Sequence, residues 1–243
     1  MPETLFVADL HLSDDTPELN RLFLRFLEDK QGKADALYIL GDLFEVWLGD
    51  DSADSIAHTV ARALHRFSET APVYFVCGNR DFMLGRDYAR AAGMVLLPEF
   101  SEISLYGCRY LIGHGDTMCT DDTAYQRFRR IIRNPVVRFI LRHLPRRRRE
   151  RIAAALRGAS KRKKAATGRT PVSDVTEAGV QAVLRRHPDI TALIHGHTHR
   201  PAEHSHRYQN RDYRRYVLQD WEQGHGGYLS VSPEGIRAVP ISE

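Results

Sequence analysis

The sequence predicts an α/β domain, and two observations carry that expectation. Apolar runs of four or five residues recur, each closed by a polar or glycine-containing cluster, and segments with helical apolar spacing lie between them. Short apolar runs bounded by glycine read as buried strands, and strands alternating with helices indicate a sheet covered by helices. The runs are Leu5-Phe6-Val7-Ala8, ending at Asp9; Ala36 to Leu40, ending at Gly41-Asp42; Val73 to Cys77, ending at Gly78-Asn79; Arg109 to Ile112, leading to Gly113-His114; and Thr191 to Ile194, leading to His195-Gly196-His197. Helical spacing is carried by Leu19, Leu22, Phe23, Phe26 and Leu27, and by Ile56, Val60, Leu64 and Phe67. After residue 201, Tyr213 to Leu218 and Gly226 to Val231 are expected as closing strands, with a second sheet as one home for them.

Composition sets the limits. The chain has 243 residues, 42% hydrophobic, which suits one large domain with a single core. No apolar run reaches the roughly 18–20 residues that span a bilayer. Met1-Pro2-Glu3-Thr4 lacks the basic and apolar regions of a secretory signal, and three cysteines without metal-type spacing argue against a disulfide framework. A reducing, cytoplasmic setting is expected, with Cys77 as a small buried residue at a strand end. The formal net charge of +4 conceals an asymmetry. Residues 127–169 hold 17 Arg and Lys against one acid, Glu150, a net +16 that leaves −12 for the rest. Such a segment is expected to meet an anionic partner or surface. Residues 120–170 read as mainly helical, broken at Pro135 and Pro145, and interrupt the strand pattern between His114 and His195. The expected organisation is one domain over 1–243 with a helical cap inserted at 120–170. Arg147, Arg148 and Arg149 are expected as surface charges.

Each polar cluster sits just beyond a core strand, the edge where open α/β sheets bind ligands. The candidate metal ligands are Asp9, His11, Asp42, Asn79, His114, His195 and His197. Asp9 and His11 are two apart, as are His195 and His197, and on extended backbone alternate residues face one side. Nitrogen and oxygen donors without thiolate suit Mn²⁺, Fe or Zn²⁺. Seven ligands exceed one tetrahedral site and suit two ions sharing a carboxylate, for which Asp42 is the candidate. A lone Gly-Asp or Gly-Asn is ordinarily a turn; five such clusters, all at strand ends, are not ordinary.

Asp9-Leu10-His11, Gly41-Asp42, Gly78-Asn79-Arg80-Asp81, Gly113-His114 and Gly196-His197-Thr198-His199 resemble the ordered motifs of the calcineurin-like metallophosphoesterases. The resemblance implies a sandwich of two packed sheets flanked by helices. It implies one ion on Asp9, His11, Asp42 and His197, and another on Asp42, Asn79, His114 and His195. Where most of that superfamily has His after the Asn, this chain has Arg80, which can clamp phosphate oxygens with paired hydrogen bonds. Longer strings, including Gly41 to Trp47, Asp121 to Gln126 and His195 to Pro201, resemble the UDP-2,3-diacylglucosamine pyrophosphatase family of lipid A biosynthesis. That likeness implies hydrolysis of UDP-2,3-diacylglucosamine by metal-activated water at the α-phosphorus, giving UMP and 2,3-diacylglucosamine 1-phosphate. It implies two Mn²⁺ and a peripheral place on the cytoplasmic face of the inner membrane. Asp42, Asn79, Arg80, His114 and His195 would be catalytic. Asn79, Arg80, Asp122, Ser160 and His195 match substrate-contacting positions. Lys164 and Thr167 stand where the family often has Asn and Lys, with Lys163 beside them. Tyr125 and Phe128 are expected among the cap residues that receive the acyl chains. Neither a nucleic acid nor an obligate protein partner is expected.

Overall fold

The computed structural model describes residues 2–155 and 174–243. Two sheets pack face to face. The first has six strands in the order β11-β10-β1-β2-β3-β4, with β1 (Thr4–Val7), β2 (Ala36–Ile39), β3 (Val73–Val76) and β4 (Met94–Leu97) parallel. β10 (His225–Ser232) returns antiparallel to β1, and β11 (Gly235–Ser242) forms the edge. The second sheet has five strands in the order β5-β6-β7-β9-β8: β5 (Phe100–Leu105), β6 (Cys108–Gly113), β7 (Ala192–His195), β9 (Arg211–Val217) and β8 (Ala202–Tyr208). The two anticipated closing strands therefore divide, β9 joining the second sheet and β10 the first.

Strand alternation explains why the apolar runs are continuous. Leu5, Val7, Leu37, Ile39, Val73 and Phe75 face the layer formed by α1 (Pro17–Lys30), α2 (Ser55–Ser68) and α3 (Arg86–Ala91). Their neighbours Phe6, Tyr38, Leu40 and Val76 face the other sheet, meeting Tyr110, Ile112, Ile194 and Tyr216. Leu111 and Leu193 point outward again, under Val180 and Leu184 of α7 (Glu177–Arg186). A strand buried on both faces needs no polar alternation. Each large side chain contributes about 1.5–3 kcal/mol by leaving water, and Leu37→Ala would cost about 2–5 kcal/mol.

The insertion begins with α4 (Thr123–Ile132) and α5 (Pro135–His143), and a third helix, α6, covers residues 146–155. The expected breaks at Pro135 and Pro145 are helix starts. Pro135 occupies the first turn of α5, where it needs no N–H partner, behind the Asn134 cap that accepts from Val136 N at 2.9 Å. The basic residues are not all solvated. Arg129 donates to Asp116 at 2.7 Å and pairs with Glu99, and Arg133 donates to the Gly78 carbonyl at 2.9 Å. Arg149, expected as a surface charge, is 4% exposed; it donates to Leu48 O at 2.6 Å and to Asp51 Oδ1 at 2.7 Å, pinning α6 to the body. Arg147 and Arg148 are exposed. The apolar residues also divide, with Ile132 buried while Ile131, Val136, Phe139 and Ile140 are each more than half exposed. Among the described residues, no helix is long and apolar enough to cross a membrane.

Candidate metal centre

The site lies where β1, β2, β3, β6 and β7 end, and its backbone is unusual. Asp9, His11, Asp42, His197 and His199 all have φ between 51° and 72°. Non-glycine residues rarely take this left-handed conformation, which costs of order 1–3 kcal/mol each and persists only where surroundings enforce it. Here they do. Asp9 N donates to Gly41 O at 3.1 Å, His11 N to Asp42 O at 3.0 Å, and His197 N to Asp9 Oδ2 at 2.7 Å. Buried Asp81 ties two of the loops together, accepting from Gly78 N at 2.7 Å and Leu43 N at 2.8 Å. The expectation that each ligand pair lies on extended backbone is thus corrected: left-handed turns, not strand alternation, aim these side chains.

Two groups of ligand-type atoms result, Asp9 with His11 and His199, and Asp9 with Asp42 and His114, the atoms of each lying within 4.8 Å of one another. His11 Nε2 stands 4.0 Å from Asp42 Oδ2, and His199 Nε2 stands 3.6 Å from Asp9 Oδ1. His114 Nε2 lies 3.7 Å from Asp42 Oδ1, and Asn79 Oδ1 lies 3.0 Å from His114 Nε2 and 2.9 Å from His197 Nδ1.

His195 is the exception. Its ring is buried behind the site, Nδ1 at 2.8 Å from the Gly196 carbonyl and Nε2 at 3.1 Å from Arg215 Nη1. A guanidinium only donates, so Nε2 must accept and Nδ1 carries the proton. Both nitrogens are committed to the protein, which corrects the expectation of His195 as a metal ligand or catalytic group. Its expected place beside Asn79 and His114 is taken by His197, and His197's expected place beside Asp9 and His11 is taken by His199, which the candidate set omitted. The three histidines at 195, 197 and 199 contain two pairs of equal spacing, so spacing could not choose between them. His199 is braced from behind by Asp220 Oδ2, 2.8 Å from its Nδ1.

The electrostatics are those of a site built around charge. Burial works against protonated His199, yet Asp220 and Asp9 raise it to about 10. Burial would raise Asp9, but His199, His114 and His11 outweigh it and hold the carboxyl below its ordinary range. Burial and His114 push His197 down to about 4, and burial and Arg215 push His195 down to about 3. Burial, then Asp42, lifts Asp81 to about 7.

Residues 3–201 match the calcineurin-like phosphoesterases. The chain belongs to that family. Three relatives named UDP-2,3-diacylglucosamine hydrolase span almost its whole length. The Edwardsiella ictaluri protein is 46% identical over 98% of this chain and 92% of its own. The Pseudomonas paraeruginosa protein is 44% identical over 98% of both chains. The Chromobacterium violaceum protein is 46% identical over 97% of this chain and 98% of its own.

The residues of this calcineurin-like phosphoesterase fit a pair of divalent cations. His11 Nε2 and Asp9 Oδ1 are buried without a hydrogen-bond partner. The 3.6 Å between Asp9 Oδ1 and His199 Nε2 is too long for a hydrogen bond, but two donors to one ion can stand so. Buried carboxylates without a bound cation are costly, and the donors are all nitrogen and oxygen. Asp9, His11, Asp42 and His199 would hold one ion; Asp42, Asn79, His114 and His197 would hold the other.

Four of the remaining expected site residues, Arg80, Asp122, Tyr125 and Phe128, are among the described residues. Arg80 is at its edge, its backbone N donating to Asp42 Oδ1 at 2.8 Å. Asp122 caps α4, accepting from Tyr125 N at 3.0 Å. The Tyr125 ring stacks on His197 at 5.9 Å while its hydroxyl donates to Asp116 at 2.7 Å, so the first cap helix roofs the second ion's ligands. Phe128 is half-buried on the same helix. Ser160, Lys163, Lys164 and Thr167 lie outside the described residues.

Proposed function

We propose that this chain hydrolyses the pyrophosphate bond of UDP-2,3-diacylglucosamine, giving UMP and 2,3-diacylglucosamine 1-phosphate. The observation that carries the reading is the 44–46% identity, over 97–98% of the chain, to relatives bearing the name of that hydrolase. The geometry supports it. Two divalent cations, with Mn²⁺ the proposed occupant, would supply Lewis acidity that activates water and neutralises phosphoryl charge. Asp42 would serve both. Arg80 would clamp phosphate oxygens from the edge with paired hydrogen bonds. Tyr125 and the buried loops around His197 would keep bulk water from the reacting phosphate.

The cap supports a lipid substrate. Burying acyl chains contributes about 0.8 kcal/mol per methylene. Ile131, Val136, Phe139 and Ile140 form exposed apolar surface among the exposed Arg127, Arg130, Arg147 and Arg148. Such a surface suits acyl chains and the anionic face of a membrane, where each basic residue adds about 1 kcal/mol, so we place the protein peripherally on the cytoplasmic face of the inner membrane. The test is mass spectrometry of products formed in ¹⁸O-water. Label in UMP is expected from attack at the α-phosphorus. Label confined to the sugar phosphate would reverse the substrate's orientation, and no product from the diacylated sugar nucleotide would end the reading.

A further inference from the structure

The loop that carries Asp42 runs on through Leu43 and Phe44 to Glu45, and its path is fixed. Leu12 N donates to Leu43 O at 3.0 Å and Glu45 N to Leu12 O at 3.1 Å, a short ladder that sets Glu45 beside His11. Arg80 is held to the same loop, its carbonyl accepting from Trp47 N at 3.0 Å. Between these two anchored segments the Glu45 carboxylate divides. Oε2 stands 3.2 Å from His11 Nδ1, an ion-pair contact that a small rotation of either side chain would align as a hydrogen bond, and Oε1 stands 3.5 Å from Arg80 Nη1. All three side chains are partly shielded, each less than a third exposed.

We propose that Glu45 is a positioning residue that couples the metal centre to the phosphate clamp. One oxygen fixes the proton of His11 on Nδ1 and so leaves the Nε2 lone pair for an ion. The other holds the Arg80 guanidinium at the mouth of the site before a phosphate arrives. Carboxylates behind ligating histidines raise ligand basicity and fix ring orientation, and their loss commonly costs 10–100-fold in metal affinity. The second oxygen of Glu45 is directed at a side chain placed to meet substrate. The same carboxylate sets both the ion and the clamp, so a change at Glu45 reaches Arg80 without altering it.

The proposal rests on the phosphoesterase reading of the site, and its test has one arm independent of turnover. Calorimetric titration of metal-free protein with Mn²⁺ alone should show roughly 10–100-fold weaker binding in Glu45→Gln than in wild type, and little change in Arg80→Ala. Circular dichroism checks that each variant is folded. In the second arm, kcat/KM for the diacylated sugar nucleotide is compared in wild type, Glu45→Gln, Arg80→Ala and the double variant. Overlap is expected: Arg80→Ala should cost at least about tenfold less in the Glu45→Gln background than in wild type, as for residues that act together. Glu45→Asp keeps the charge but is too short to reach both partners, and should lose the same coupling. Wild-type Mn²⁺ affinity in Glu45→Gln, losses that multiply, or full coupling in Glu45→Asp would each overturn the proposal. A wild-type enzyme inactive on this substrate would instead sink the proposed function, and the Mn²⁺ titration would still report on Glu45 and His11.

Discussion

Gly78→Ala isolates how tightly the metal loops are packed. A Cβ at residue 78 would stand 2.2 Å from Asp42 Oδ1, 2.5 Å from Asp42 N and 2.9 Å from Asp42 Cγ. Ordinary contact begins near 3.4 Å, so something must retreat by about 1 Å. The Asp42 backbone cannot move freely, because its carbonyl accepts from His11 N and Leu43 N is tied to Asp81. Overpacking of this kind costs about 1–3 kcal/mol. For a chain of this size, about 1 kcal/mol lowers Tm by roughly 2–4 °C, so a fall of about 2–12 °C is expected. A misplacement of about 1 Å at a reacting centre costs on the order of 100-fold in rate. The assays are thermal unfolding in EDTA and in excess Mn²⁺, and kcat/KM on the diacylated sugar nucleotide. Metal-linked stabilisation should shrink, because displaced Asp42 weakens binding to the native state. Gly32→Ala is the control. It has nothing within 4 Å but a φ of +69°, so it should cost roughly 1–2 kcal/mol in backbone strain and leave metal binding alone. If Gly78→Ala keeps wild-type metal-linked stabilisation and more than about a tenth of kcat/KM, the loops are more compliant than these distances imply.

Three further outcomes follow from particular contacts. His199→Gln should lose bound metal by elemental analysis, whereas His195→Gln should keep two ions per folded chain; the reverse pattern would restore His195 as a ligand. The hydrogen bond from Arg149, then its charge, holds the Asp51 carboxyl below its ordinary range. Its contribution is therefore present above the unfolded value of about 3.9 and lost as pH falls through the lower folded value. Wild type should melt slightly above Asp51→Asn at neutral pH, by no more than about 1 kcal/mol for so exposed a carboxylate, and the two should converge on acidification; a gap that widens in acid would refute the pairing. Replacing Arg147 and Arg148 with Gln should weaken sedimentation with anionic vesicles, increasingly so at low salt where the Debye length is longest, and leave turnover of detergent-solubilised substrate nearly unchanged.

The sequence by itself determined the parallel strands and where they stop. Runs such as Ala36 to Leu40 and Val73 to Cys77 are apolar throughout because both faces of those strands are buried, and the polar residue that follows each marks the sheet edge. It also marked the insertion, since few contexts favour 17 basic residues against one acid in 43 positions. It did not reveal β5, β8 or β11, whose exposed or half-buried residues lack a continuous apolar run, nor β4, an apolar run (Met94–Leu97) that ends at Pro98 rather than at a polar cluster. Nor did it decide which basic residues are solvated, because burial of Arg149 depends on Asp51 and the Leu48 carbonyl, about a hundred positions away. The choice among His195, His197 and His199 was likewise tertiary. Spacing limits which residues can share an ion, but a ring's direction follows its backbone angle and its partner. Arg215 turns His195 inward, while Asp220 and a left-handed backbone turn His199 toward Asp9.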